Sequence, residues 1–114
     1  MQRNYRLRKN KQFAYVYRRG KSVACKELVL LHAKGQGLKV GFSVSKKVGN
    51  AVTRNLIKRR LKECFRKRMD SVKPGLYVIV ARPVAAQATF SALDSGLYYL
   101  LKKQSLISEG SGMQ

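Results

Sequence analysis

Acidic residues are scarce in this sequence, which has five of them against 25 lysines and arginines, a formal net charge of +20 over 114 residues. Such an excess of one sign makes the folded chain repel itself, and a polyanionic partner would offset that repulsion. The five carboxylates are also scattered, and no pair is spaced to gather the ions of a metal-dependent hydrolase. Composition therefore predicts a negatively charged partner and argues against catalysis by protein side chains.

Histidine and cysteine are rarer still, with one histidine and two cysteines. His32, the single histidine, lies inside a strand pattern, and general acid–base work by it would need an orienting partner. Cys25 and Cys64 form no CxxC pair, so the sequence indicates neither a zinc site nor a redox motif. We expect both cysteines to be small buried hydrophobes, without a disulfide in a reducing cytoplasm.

Long apolar runs are absent, since no stretch approaches the roughly 20 residues needed to cross a bilayer. The segment "MQRNYRLRKNKQF" also lacks the apolar core of a secretory signal, which favours a cytoplasmic protein. A hydrophobic fraction of 45% nevertheless predicts a folded chain. We expect one domain over residues 1–107, followed by a small, polar, disordered tail over 108–114.

Hydrophobic periodicity predicts six elements. A short helix precedes Gly20, and strands over 22–33 and 38–45 form a hairpin around "KGQG". A helix runs from 51 to about 68 with Asn50 as its N-cap, and the strand "LYVIVAR" and the helix "TFSALDSGLYYLLKKQ" follow. The order α-β-β-α-β-α predicts an α+β fold in which helices pack on one small sheet.

The helix that begins at 51 has two contrasting faces. At 100° per residue its apolar stripe contains Ile57, Leu61, Cys64 and Phe65, and basic residues dominate the opposite side. Between Lys46 and Arg68 there are ten basic residues and one acid. A charge run is often a solvated face, but like charges one turn apart destabilise a helix unless anions approach. We therefore predict a nucleic-acid-binding face whose affinity falls steeply with salt.

RNA is favoured over DNA as the partner. Phe13 and Tyr17 lie four residues apart beside a basic segment, which suits stacking on unpaired bases. No recognition-helix module for the major groove is evident. On pattern alone, core packing explains these two aromatics equally well.

Three segments carry a resemblance that covers residues 3 to about 106: "GFSVSKKVGNAVTRNLIKRRLKECFR", "RLRKNKQFAYVYRRGKS" and "GLYVIVARP". With these segments the chain resembles a known family, the protein subunit of bacterial ribonuclease P. It implies a two-layer α/β sandwich of the ribosomal protein S5 domain 2-like type with a left-handed βαβ crossover. Members usually carry Arg-Asn-Arg before Ile-Lys-Arg, and Leu56 stands here in place of the second arginine.

The resemblance also implies a function. In the family, a large RNA cleaves precursor tRNA with Mg²⁺ and releases the 5′ leader, while the protein is an accessory subunit. The expected partners are therefore the catalytic RNA, in a one-to-one complex, and precursor tRNA. The expected ion is Mg²⁺ held mainly by that RNA, with no organic cofactor, no protein catalytic residue and no membrane contact. A protein of this charge would screen the repulsion between two RNAs.

Two sets of residues are carried over by resemblance. A leader-binding cleft is expected to contain Phe13, Tyr17 and Leu31, where Leu31 replaces an aromatic that relatives often have. The catalytic RNA is expected to contact Lys46, Lys47, Arg54, Asn55, Lys58, Arg59, Lys62 and Arg66. The alternative is a non-catalytic ribosomal or assembly protein that uses the same helix. A membrane-surface protein is less favoured because the apolar stripe is narrow.

Overall fold

The structure, a computed structural model, describes residues 6–7 and 10–107. The tail predicted to be disordered, 108–114, lies outside these residues. The described chain contains four strands, three α-helices and a short 3₁₀ helix. In order they are α1 (Asn10–Arg19), β1 (Lys21–Ala24), β2 (Leu28–Ala33), β3 (Leu38–Ser43), α2 (Ala51–Arg66), β4 (Gly75–Ala81), the 3₁₀ helix (Pro83–Gln87) and α3 (Phe90–Lys103).

Strand β4 occupies the interior of a four-stranded sheet with the order β1-β2-β4-β3. It runs antiparallel to β2 and parallel to β3, so that Ile79 pairs with Leu30 on one side and with Phe42 on the other. Parallel neighbours cannot be joined by a tight turn, and a crossover must connect them. Helix α2 is that crossover, and β3, α2 and β4 form the βαβ unit.

Alternating side chains build a core on each face of the sheet. On one face the strands contribute Leu30, Tyr77 and Ile79, which pack with the buried residues of α2 and α3. This sheet and helix pair form the predicted two-layer sandwich. On the opposite face, α1 covers a smaller cluster that consists of Leu7, Val16, Leu31, Ala33 and Val78. The α+β prediction is confirmed.

The predicted single strand over 22–33 is wrong, because the structure divides it into β1 and β2. The two pair antiparallel, and the Cys25 N–H donates to the Leu28 carbonyl at 2.8 Å to close the turn. The turn residues are Lys26 and Glu27, which carry none of the Gly, Asn or Pro signals of hairpin turns. The element order is therefore α-β-β-β-α-β-α.

The predicted hairpin between the strands on either side of "KGQG" is also wrong, since β4 lies between β2 and β3. Residues 76–80 of β4 are apolar on both faces, and such a run gains most from the interior of a sheet. The turn itself forms, with Gly37 at φ +71°. Its Gly37 carbonyl accepts from the Gly75 N–H at 2.7 Å, which fastens the turn to the start of β4.

Both long helices begin at side-chain caps. Asn50 Oδ1 accepts from the Thr53 N–H at 2.9 Å, as predicted for α2, and Thr89 Oγ1 accepts from the Ala92 N–H at 3.0 Å at α3. These bonds satisfy backbone donors that the first turn of a helix leaves free. The predicted stripe of α2 is buried as well, with Ile57, Leu61 and Phe65 each at most 1% exposed.

An ion-pair cluster on Asp94 joins α3 to the end of α2. Lys67 Nζ lies 3.0 Å from Asp94 Oδ2, and Arg68 Nη1 lies 2.5 Å from Asp94 Oδ1. Burial alone would raise the pKa of the Asp94 carboxyl, but hydrogen bonds from Arg68 and Lys67 outweigh it and the pKa is lowered. Next to this cluster, burial and the Asp94 charge raise the pKa of the Cys64 thiol to about 12, so this free cysteine stays protonated and unreactive.

Replacement of Asp94 by asparagine should lower the free energy of unfolding at neutral pH by roughly 1–2 kcal/mol, because it removes a charge-assisted network. A carboxyl whose pKa is lowered on folding stabilises above its unfolded pKa and loses this effect as pH falls through the folded value. The difference in free energy of unfolding between wild type and Asp94→Asn should therefore be constant down to about pH 4 and shrink below that pH. Urea unfolding at several pH values measures it, with Asp70→Asn, at an exposed carboxylate, as the control. A difference that does not change with pH would contradict the prediction.

Candidate nucleic-acid interface

The outward side of α2 and the turn before it carry the eight residues, all basic except Asn55, that the resemblance assigns to the catalytic RNA. Asn55, Arg59 and Arg66 are exposed, and Lys58 and Lys62 are half-buried beside β3. Lys46 and Lys47 are exposed in the turn between β3 and α2, and Arg54 is half-buried in the first turn of the helix. The burial of the apolar stripe fixes this orientation. We call these eight residues the basic α2 face.

Not all of these charges are equally available. Arg66 is hydrogen-bonded to Glu63, which lowers the pKa of that carboxyl, and Arg54 Nε donates to the Gly49 carbonyl at 3.2 Å. In contrast, Lys58, Arg59 and Lys62 have no acidic partner among the described residues. The unpaired cations thus lie in the middle of the helix, where like charges repel each other.

An open groove of about 450 Å³ lies at the edge of the sheet formed by β3. Its floor is β3, and α2 supplies Lys58 and Lys62 along one wall. Arg6, Leu7 and the ring of Phe13 form the other wall. The lining residues are Arg6, Leu7, Phe13, Val40, Gly41, Phe42, Lys58 and Lys62. We call this feature the β3 groove.

Phe13 is positioned by the absence of a side chain at Gly41. A Cβ atom built on Gly41 would come within 2.6 Å of Phe13 Cε1, so the ring lies directly on the strand backbone. The Leu7 N–H donates to the Val40 carbonyl at 3.0 Å, which holds the preceding segment against the same strand. The ring is half-buried and keeps part of its surface toward the groove.

The structure groups the predicted site residues differently from the sequence. Phe13, assigned to the leader cleft, and Lys58 and Lys62, assigned to the catalytic RNA, line one groove. Tyr17 is 50% exposed and does not line it. Leu31 is 7% exposed and packs beneath α1, outside the groove.

Sequence reasoning missed the edge of β3 as part of the site. Val40, Gly41 and Phe42 lie in the strand predicted over 38–45, and no short motif marks them as groove residues. The one available signal was a glycine inside a strand pattern, which indicates close approach by another group. That group, Phe13, is distant in sequence and could not be identified before the fold was known.

The described residues do not fit a protein metal site. Residues 6–7 and 10–107 contain no group of three His, Cys, Asp or Glu side chains that could hold an ion. His32 Nε2 lies 3.1 Å from the Pro74 carbonyl, which gives the single histidine a local structural contact. Across the same residues, no helix is both long enough and apolar enough to span a membrane.

Comparison with known proteins identifies the family of this chain. A family model described as ribonuclease P matches residues 1–105. The chain belongs to the ribonuclease P protein family. It is 41% identical over 112 residues to the ribonuclease P protein component of Staphylococcus carnosus, with 96% of this chain and 97% of that protein covered. The corresponding protein of Brevibacillus brevis is 41% identical over 113 residues, with 96% and 90% covered.

Solved structures of the family show the same fold. The ribonuclease P protein of Staphylococcus aureus superposes with a TM-score of 0.86 at 33% identity, over 91% of this chain and 98% of that chain. The protein from Thermotoga maritima gives 0.78 at 28% identity, over 86% and 96%. This membership makes the chain a protein component of ribonuclease P, a tRNA-processing ribonucleoprotein, and implies partnership with the ribonuclease P RNA.

Replacement of Gly41 by alanine should lower the free energy of unfolding by about 1–3 kcal/mol, because the new methyl group must displace the Phe13 ring. When Phe13 is already replaced by alanine, Gly41→Ala should lower the free energy of unfolding by less than it does in the wild type. Gly35→Ala is the matched control, since a Cβ there has no neighbour closer than 3.5 Å. Urea unfolding measures all four variants. Additive losses in the double variant would show that the two residues are not coupled.

Proposed function

We propose that this chain binds the catalytic RNA of ribonuclease P through the basic α2 face and holds the 5′ leader of precursor tRNA in the β3 groove. The RNA then removes the leader with Mg²⁺ to give the mature tRNA 5′ end, in the cytoplasm and in a one-to-one complex with the protein. The observation that carries the proposal is the β3 groove, where Phe13 faces two lysines that have no acidic partner among the described residues.

The chemistry of the β3 groove suits a single RNA strand. Single strands bind where cations follow the phosphates and aromatic rings stack on bases, and this recognition tolerates any base sequence. Phe13 supplies the ring, and Lys58, Lys62 and Arg6 supply the cations. A duplex has no unstacked base to offer the Phe13 ring. The groove therefore favours the leader over the folded body of tRNA.

The outer part of the basic α2 face remains for the catalytic RNA. Lys46, Lys47 and Arg59 are exposed and do not line the groove. Arg54 uses Nε to bond the Gly49 carbonyl, and its terminal N–H groups can still donate to a phosphate. Lys58 and Lys62 lie at the border between the two surfaces. The leader would thus run beside the catalytic RNA, with the two lysines between their phosphates.

This arrangement assigns electrostatics and positioning to the protein. Catalytic RNA and precursor tRNA are both polyanions, and a subunit of charge +20 reduces the repulsion between them. Because the described side chains do not fit a protein metal site, we assign Mg²⁺ to the RNA. The ion supplies the phosphodiester chemistry, and the protein holds the leader in register. No observation favours the ribosomal or assembly-protein alternative.

Charge removal on the basic α2 face should weaken assembly with the catalytic RNA and make it less dependent on salt. For Lys47→Gln with Arg59→Gln, the slope of log K against log salt should fall in magnitude by about 1.5, because two phosphate contacts are lost. Lys11→Gln with Lys26→Gln removes the same charge from exposed positions outside the face and serves as the control. Filter binding at several salt concentrations measures both. Equal slopes for the two double variants would remove Lys47 and Arg59 from the interface.

Replacement of Phe13 by leucine should selectively weaken binding of substrates that carry a leader. Leucine keeps apolar cover over Gly41 but cannot stack, and loss of one stacked base costs at least about fivefold in affinity. Holoenzyme affinity for precursor tRNA should fall by this factor, whereas affinity for mature tRNA should stay unchanged. Phe90→Leu, at an exposed ring on α3, is the control. An equal loss for both RNAs would exclude Phe13 from a leader site.

A further inference from the structure

A second basic cavity, of about 590 Å³, lies at the end of the sheet where β2 stops and β4 begins. It shares no lining residue with the β3 groove. Helix α1 contributes to both, with Phe13 in the groove and Tyr15 and Arg19 in the cavity. Its lining includes Tyr15, Arg19, Lys21, His32, Lys34 and Lys73. We call this feature the sheet-end cavity.

Four cations surround the sheet-end cavity, and none has an acidic partner among the described residues. They come from three separate parts of the chain: Arg19 and Lys21 from the α1–β1 junction, Lys34 from the end of β2, and Lys73 from the approach to β4. Among the residues that the structure describes, no carboxylate lines the space. Charges that converge from several elements raise the positive potential locally, and an anion in the cavity relieves their repulsion.

The walls of the sheet-end cavity are fixed by hydrogen bonds between elements. The Lys73 N–H donates to the Leu106 carbonyl at 2.8 Å, and the Lys73 carbonyl accepts from Tyr77 Oη at 2.6 Å. The Gln104 side chain donates to the Lys21 carbonyl at 3.0 Å, which ties the end of α3 to β1. The backbones that carry two of the four cations are thereby held in place before any ligand binds.

The lining of the cavity also includes the aromatic ring of Tyr15, which a site for a simple anion does not need. Its ring is 40% exposed and lies on the same helix as Arg19, one turn earlier. A volume of about 590 Å³ is in the range of small-ligand sites and exceeds what a lone phosphate requires. An exposed ring among cations matches a nucleotide, whose base stacks while its phosphate binds the lysines.

We propose that the sheet-end cavity is a second RNA site, which binds one nucleotide of a single strand through Tyr15, Lys34 and Lys73. This inference deepens the proposed RNA-binding function and rests on it. The strand comes either from a longer leader or from an unpaired part of the catalytic RNA. Both present the same phosphate and base. Holoenzyme binding to precursors with long leaders and protein binding to the catalytic RNA distinguish the two sources.

The test is an amide NMR titration of the full chain with a pentamer of uridylate. Backbone amides of Gly41 and Phe42 report the β3 groove, and those of Ala33, Lys34 and Lys73 report the cavity. We expect both sets to shift in the wild type. The double variant Lys34→Gln with Lys73→Gln should lose at least about tenfold in affinity at the cavity and leave the groove titration unchanged. Lys11→Gln with Lys26→Gln, a control of equal charge, should leave the cavity titration unchanged.

Tyr15→Leu separates a nucleotide site from a general anion site. It should weaken the uridylate pentamer at the cavity about fivefold, because stacking is lost, but leave inorganic tripolyphosphate binding unchanged. Amides remote from both sites check that each variant is folded. If holoenzyme with the cavity variants loses affinity only for precursors with long leaders, the strand bound in the cavity is the leader. A loss of affinity for the catalytic RNA identifies that RNA instead.

Four outcomes would overturn the proposal. If only the groove amides shift, the second site does not exist and the proposed function stands. If neither set shifts, both fail. If the control double variant weakens the cavity as much as Lys34→Gln with Lys73→Gln, or if Tyr15→Leu leaves uridylate binding unchanged, the cavity is only part of a diffuse positive field.

Discussion

The double pairing of β4 is the constraint on which the rest of the structure depends. The strand is bonded on both sides, antiparallel to β2 and parallel to β3, and its side chains enter the cores on both faces of the sheet. Its parallel pairing with β3 requires a crossover, and the only long segment between the two strands is α2. The basic helix is therefore held against the edge that β3 forms. Sheet topology thereby places the basic α2 face beside this edge.

The distribution of the few acids is as informative as the excess of bases. Glu63 and Asp94 engage Arg66, Lys67 and Arg68, all near the C-terminal end of α2. The first turn of that helix contains no acid, and its free N–H groups add positive potential close to Lys46 and Lys47. Asp94 therefore joins α3 to the end of α2, whereas Glu63 pairs within α2, and the part of the helix near β3 is left uncompensated. One helix can in this way both join the core and present an uncompensated basic face.

Local patterns predicted the elements well and their arrangement less well. The cap at Asn50 and the stripe of α2 follow from spacing within one helix, so a single sequence contains the information. The turn at Lys26 and Glu27 contains no Gly, Asn or Pro, so its residue types do not mark it as a turn. The insertion of β4 between β2 and β3 depends on pairing between segments that are distant in sequence. The β3 groove needs Phe13 to meet Gly41 across 27 intervening residues. The resemblance supplied both sets of residues but not the fact that Lys58, Lys62 and Phe13 share one groove.

The bridge between Arg6 and Val40 has a consequence for solubility. An exposed sheet edge offers unpaired backbone groups to other chains, and proteins protect such edges by covering or shortening them. Here Arg6 and Leu7 occupy part of the β3 edge, and β1, at the other edge, is only four residues long. The net charge already keeps free molecules apart, but bound RNA neutralises that charge. Edge protection built from backbone hydrogen bonds does not depend on charge, so it still opposes strand-to-strand association when the protein is saturated with RNA.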